Sequence, residues 1–541
     1  MSDGPARSRP TLVAPAASRP RLFPALRGRP ALALGLAAML VAAAFVAAML
    51  AVTDGHFVPQ VVDLYVVCQY ARAIAEGHPF RYHPGEPPSS GATSVLYTAW
   101  LALAHAVGAR GEALVAFAIA TGAALFVASV VLAYRLGRLL GSEREGWLAA
   151  GLVLLGGPVV WGFLYGSDIA LFLFLALWLL ERMAVAWTTG ALGGAVLAAS
   201  LIALARPEGL AIALGFGAAC ALEPGRARWR RLAWVPALLA VALLVALRAW
   251  TGAWIGSSVA DKSLLANYGL LATLGVSAEY AVDVVRGLLL GFYPSQAPVG
   301  FARGWASLYF PPLGLLLVLA ALVGVRPPAR RAARAWAAIV ALVALALAPS
   351  LFAGVHFNRY VLWALPGLLA LAAAGLGAAT RLAAGGDARL ERSLFRAGAG
   401  LLLALGALST TRFAVLYAEM AADVYRRDVA AAEWIRGHLR AGTPIANMAT
   451  SVEYLTGHRS LNLHGVTTPA FFGVRATERE AGALEALGRL PEGERPGLLL
   501  VALALAPSLF AGVHFNRYVL WALPGLLALG AAGLGAATRL A

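Results

Sequence analysis

Apolar runs of about 15–22 residues recur along the whole chain, and this spacing constrains the fold more than any motif does. A hydrocarbon core of ~30 Å takes about 20 helical residues to cross. In lipid each backbone group must be satisfied within its own segment, so such runs have to be helices. About eleven runs read as spans: 31–52, 113–133, 147–164, 169–187, 191–205, 209–222, 232–250, 308–325, 335–352, 361–379 and 397–413. Charged residues make up only 13% of the 541 against 60% hydrophobic, too few to clothe a water-soluble body of this size. The expected fold is an all-α polytopic membrane protein of about 11 transmembrane helices carrying a small periplasmic α/β domain.

The net charge of +16 raises the question of nucleic acid. Its distribution answers it, because the arginines gather in short loops between spans, the positive-inside pattern, rather than on one basic face. Residues 1–30 form a basic tail holding Arg7, Arg9, Arg19, Arg21, Arg27 and Arg29, which predicts a cytoplasmic N-terminus. Four further clusters, around Arg135–Arg144, Arg226–Arg231, Arg326–Arg334 and Arg381–Arg396, thread the chain if all are cytoplasmic. That threading requires 94–107 to lie at the outer face without crossing, and it leaves 256–305 open to an interfacial helix or an extra pair of spans. Cys68 and Cys220 fall in different segments, which argues against a disulfide framework or a thiolate metal site.

The transmembrane region is thus 31–413 with an outer loop at 53–111, and 414–499 reads as a periplasmic α/β domain. In that domain 417–439 is expected as a helix, PIANMAT and RSLNLHG as strands around a helical turn SVEYLTG, and GLLLV as a third strand. Residues 500–541 repeat 342–383 with one difference, Ala372 against Gly530. Near-identity of this kind marks a recent duplication or an assembly artefact rather than an architectural repeat. The second copy of HFNRY follows a domain instead of an outward span, so it cannot rebuild the site of the first.

The unusual residues fall on the outer side. Asp63 opens an amphipathic helix at 61–76, well placed either to take a proton from a hydroxyl at the membrane face or merely to cap that helix. Asp168, in YGSDIALF, sits where two spans meet, as a site acid or as another cap. Arg206 in ALARPEG either grips a phosphate or pairs with Glu208. Lys262, the single lysine, neutralises a phosphate or snorkels to headgroups. Arg359 and Tyr360 in HFNRYVLW fit a phosphate site or an interfacial anchor. Two carboxylates and three cations on one membrane face suit the chemistry of a lipid-linked phosphosugar.

The loop DLYVVCQYARAIAEGHPFRYHPGE…TSVLYTAW resembles the first outer loop of the bacterial GT-C membrane glycosyltransferases, the protein O-mannosyltransferase-, aminoarabinose transferase- and arabinofuranosyltransferase-like enzymes. YGSDIALF, ALARPEG, SSVADKS and HFNRYVLWALPG are similar to their later outer motifs, in the same order, over roughly 31–473. Val62 stands where members often carry a second acid, and Asp168 where many have glutamate. The resemblance implies inverting transfer of a sugar from a polyprenyl-phosphate donor to an extracytoplasmic glycan, lipid or protein acceptor at the bacterial inner membrane, with no nucleic-acid partner. Asp63 and Asp168 would be the catalytic pair, while Arg206, Lys262, Arg359 and Tyr360 would bind the donor phosphate. No cofactor is certain, no metal ligand is assigned, and a divalent cation stays open because no Asp-x-Asp pair is present. The main rival is a transporter or flippase of a lipid-linked envelope precursor, followed by an inactive membrane scaffold. Transporters place ionisable groups near the bilayer midplane and carry repeats spanning the fold, unlike the pattern here.

Overall fold

The computed structural model describes residues 29–89, 91–224, 226–252, 254, 263–291, 309–349, 360–447, 451–462, 467–468 and 498–500. Lys262, Arg359, the basic tail up to residue 28 and the copied segment 501–541 lie outside them. Helices dominate: α1 (Arg29–Val52), α2 (Asp63–Ala75), α3 (Val95–Ala106), α4 (Glu112–Leu140), α5 (Glu143–Leu154), α6 (Gly157–Leu164), α7 (Asp168–Thr189), α8 (Gly193–Ala205) and α9 (Gly209–Ala221). They continue with α10 (Trp229–Leu232), α11 (Val235–Thr251), α12 (Leu264–Leu290), α13 (Gly314–Gly324), α14 (Ala329–Leu347), α15 (Leu365–Ala383), α16 (Ala388–Val424), α17 (Ala430–His438) and α18 (Val452–Thr456).

This is a multi-pass membrane protein. Each of the eleven apolar runs carries helix, and among the described residues six helices have the length and hydropathy to cross a bilayer, or seven if the bent pair α5–α6 is one span. Several of the others are short: α8 and α9 have 13 residues each and α13 has 11. The run at 147–164, read as a single span, is broken by 60° between α5 and α6. Gly156, Gly157 and Pro158 sit at the break, and Pro158 lies in the first turn of α6, where its missing N–H costs nothing. The open segment 256–305 contains α12, whose backbone leaves helical geometry at Gly269 with φ 80°.

Burial sorts the helices into inner and outer. In α7 and in the span ending with α15 (Leu362–Ala383), 78% and 83% of the apolar window is enclosed by protein, against 22% in α1, Trp229–Thr251 and the helix containing α16. The outer helices spend their apolar faces on lipid, as the hydrophobic pattern requires.

The arginine clusters gather at one end of the bundle. Arg135 reaches the fully buried Glu181 at 2.7 Å, Arg331 reaches Glu223 at 2.6 Å, and Arg381 reaches the fully buried Glu145 at 2.9 Å. Arg144 bridges Glu145 and Glu391, so the α4–α5 turn, α15 and α16 are tied together. None of these acids was singled out from sequence.

At the opposite end α16 passes residue 413 without a break, so the expected boundary at 414 falls inside a continuous helix. A π turn, Tyr425–Val429, carries it into α17. The α/β unit that follows has three parallel strands in the order β2-β1-β3: Ile445–Asn447 (β1), Ser460–Asn462 (β2) and Leu498–Leu500 (β3). All three lie in segments expected as strands, and β3 ends at the first residue of the repeat. The unit is held against the first outer loop. The Tyr454 hydroxyl donates to the Gly111 carbonyl at 2.9 Å, its ring stacks on Tyr65, and Arg459 pairs with Glu86 at 3.1 Å.

Candidate functional site

The turn before α7 is shaped by Gly166, whose φ of 78° suits a residue without a side chain. Its carbonyl accepts a hydrogen bond from the Tyr97 hydroxyl at 2.8 Å, which ties α3 to the turn. Ser167 is the N-cap of α7 and its hydroxyl accepts from the Ile169 amide, so Asp168 is the first helical residue rather than the cap. The helix dipole favours a carboxylate there.

Arg206 lies at the C-cap of α8, where the dipole favours a cation. Its Nη1 donates to Asp168 Oδ2 at 2.7 Å, while Nε and Nη2 fork onto the two Glu208 oxygens at 3.2 and 3.1 Å. All three side chains are about nine-tenths buried. The guanidinium also lies 5.8 Å from the ring centres of both Phe172 and Tyr360, within cation–π range. Thr93, from the first outer loop, makes a long 3.5 Å contact to Asp168 Oδ2.

The structure therefore brings Asp168, Arg206 and Tyr360 together, with Glu208 as the second partner of Arg206. The pairing of Arg206 with Glu208, weighed from sequence as the alternative to phosphate binding, is present. It still leaves two of the five guanidinium N–H groups uncommitted by these bonds. The three ionised groups sum to one negative charge.

Asp63 is half-buried as the first residue of α2. The next side chain, Leu64, packs at the site of Gly166, so the first turn of α2 abuts the turn that presents Asp168. Lys262 and Arg359 lie outside the described residues. Tyr97, Phe172 and Thr93 were not singled out from sequence, although all three stand in the quoted motifs. Among the described residues no group of three or more His, Cys, Asp or Glu could hold a metal ion.

No family model matches the sequence, and neither does any curated protein. Solved structures do. The oligosaccharyltransferase AglB of Archaeoglobus fulgidus, in complex with an inhibitory peptide and a dolichol-phosphate, superposes over 86% of this chain and 69% of its own, with 13% identity and a TM-score of 0.50. The apo form of the Archaeoglobus fulgidus oligosaccharyltransferase covers 85% and 68%, at 14% identity and a TM-score of 0.51. A looser superposition, TM-score 0.43 at 13% identity over 80% of this chain and 88% of the other, is found with ArnT from Cupriavidus metallidurans bound to undecaprenyl phosphate. At 13–14% identity the likeness is one of architecture alone: this chain shares the fold of the two Archaeoglobus fulgidus oligosaccharyltransferase structures.

Proposed function

We propose that the chain is an inverting glycosyltransferase that moves a sugar from a polyprenyl-phosphate donor to an acceptor outside the cytoplasm. The observation that carries this reading is the acid–arginine constellation of Asp168, Arg206 and Glu208 beside the first turn of α2, at the end of a GT-C-type bundle remote from the arginine clusters. The fold match to a structure described with dolichol-phosphate supports a lipid-phosphate donor.

In this account Asp63 removes the proton from the acceptor hydroxyl as its oxygen forms the new bond to the anomeric carbon. The bond from that carbon to the phosphate oxygen breaks, and polyprenyl phosphate leaves with the electron pair. Charge on the phosphate rises in the transition state, so cations placed around it lower the barrier. The two uncommitted N–H groups of Arg206 suit that task, together with Tyr360, Lys262 and Arg359. Asp168 fixes the Arg206 fork and orients the acceptor. Because the described core carries one net negative charge, Lys262 and Arg359 would have to reverse it.

The positive-inside rule assigns the arginine-rich end to the cytoplasm. The N-terminus is then cytoplasmic, the α/β unit of 414–499 is periplasmic, and the protein lies in the bacterial inner membrane. The acceptor is a hydroxyl of an extracytoplasmic glycan, lipid or protein. Purified protein incubated with a radiolabelled polyprenyl-phosphate sugar is expected to release free polyprenyl phosphate as label enters an acceptor fraction. Donor left intact across several sugars would overturn the proposal.

A further inference from the structure

A cleft of about 450 Å³ opens between the last turns of α2 and α3 and Tyr454 of the α/β unit. Its charged and polar lining is Arg72, Glu76, His105 and Arg110. Arg72 and Glu76 approach only to 3.8 Å, a weak pair, and Arg110 is exposed. His105 is 94% buried, and its Nδ1 has no hydrogen-bond partner among the described residues. Burial keeps this imidazole below its ordinary pKa, so two guanidinium groups face one carboxylate and the cleft is net positive.

A second feature adjoins the cleft. Trp100, Leu103 and Val107 are 44%, 58% and 79% exposed and lie at spacings of three and four residues, one stripe along α3. The opposite face of α3, with Leu101, Ala104 and His105, is buried. The stripe ends at Val107, next to Ala106 in the cleft wall. Arg72 lies nine residues beyond Asp63, about 13 Å along α2 at 1.5 Å per residue, so the cleft is separate from the Asp63 end.

We propose that this cleft and stripe form a binding site for one anionic phospholipid of the surrounding bilayer. The headgroup phosphate sits between Arg72 and Arg110, and an acyl chain runs along Trp100, Leu103 and Val107. Charge complementarity selects an anionic headgroup, and the exposed apolar stripe selects a lipid over a soluble anion. The site is independent of the proposed transferase activity.

The test is native mass spectrometry of the detergent-purified chain offered equal amounts of phosphatidylglycerol and phosphatidylcholine. The wild type is expected to retain phosphatidylglycerol preferentially, and Arg110→Ala, an exposed position, to lower that preference roughly fivefold, the effect of one cation near a lipid headgroup. Val107→Ser is expected to lower retention of the bound lipid as well. Equal retention of the two lipids by the wild type, or an unchanged preference in Arg110→Ala, would overturn the proposal. Inorganic phosphate at matching concentration should leave the lipid bound, and displacement by phosphate alone would overturn the assignment to a lipid.

Discussion

Arg206 donates from Nη1 to Asp168 Oδ2 at 2.7 Å, which joins the C-terminal end of α8 to the N-terminal end of α7 inside a buried, three-charge cluster. Removing one member of a buried ion pair leaves an uncompensated charge and costs about 3–5 kcal/mol. The asymmetry of the cluster then ranks the variants. Asp168→Asn leaves Arg206 still forked onto Glu208, whereas Arg206→Met strands both Asp168 and Glu208. Thermal unfolding in one detergent should show the larger loss for Arg206→Met. Arg206→Lys should recover only part of it, because an ammonium cannot reproduce the fork. Equal losses in Arg206→Met and Asp168→Asn would contradict this reading.

The arginine-rich end offers a steric prediction. A methyl group at Gly377 would run into the Glu145 carboxylate, which Arg381 and Arg144 hold in place. Gly377→Ala is therefore destabilising, and so is Glu145→Ala; because Arg381 and Arg144 are about a third exposed, the loss of their counter-charge costs less than the ~3–5 kcal/mol of a fully buried pair. In the double variant the clash is gone, so the combined loss should fall short of the sum. A double-mutant cycle on unfolding midpoints reads the coupling, and strict additivity would rule the contact out.

At the other end His56 Nδ1 lies 2.9 Å from Glu112 Oε2, and its ring stacks on Tyr425. The hydrogen bond to Glu112, and then its charge, raise the imidazole pKa above the ordinary 6.5. A raised folded-state pKa favours folding when the group is protonated. This contribution is full below about 6.5 and is lost as pH rises through the raised value. Both side chains are nearly half exposed, so solvent screening holds the effect to less than about 1 kcal/mol. His56→Gln should flatten the pH dependence of the melting temperature above neutrality, and an unchanged profile would dismiss the pair as a contributor.

Much of this architecture can be read from residues. Hydropathy places the eleven helical runs, and the acids that open DLYVV and DIALF mark the first residues of α2 and α7. The composition change after Phe413 announces the strands, although helix α16 runs straight through that point, because a helix leaving a bilayer need not stop at its surface. What pattern does not report is partnership. Glu145 in the first turn of α5, Glu181 within α7 and Glu223 just past α9 carry no signal of their own in the sequence, and only the packing of distant helices turns them into counter-charges for arginines. Arg206 shows the same limit. ALARPEG announces its pairing with Glu208, but the bond to Asp168, 38 residues earlier, depends on how α7 and α8 pack. The bend at 147–164 was in the text as Gly-Gly-Pro, masked by an otherwise unbroken hydrophobic run.

Asp63, on the turn that abuts the Asp168 loop, is the proposed base of the sugar transfer. The most direct measurement is the rate of transfer from a labelled polyprenyl-phosphate sugar by wild-type, Asp63→Asn and Asp63→Glu proteins reconstituted at equal amounts. Loss of a general base predicts a fall of roughly 10²–10⁴-fold in Asp63→Asn, with membrane insertion and melting temperature unchanged and partial activity in Asp63→Glu. An Asp63→Asn protein that transfers sugar at a rate close to wild type would contradict the account.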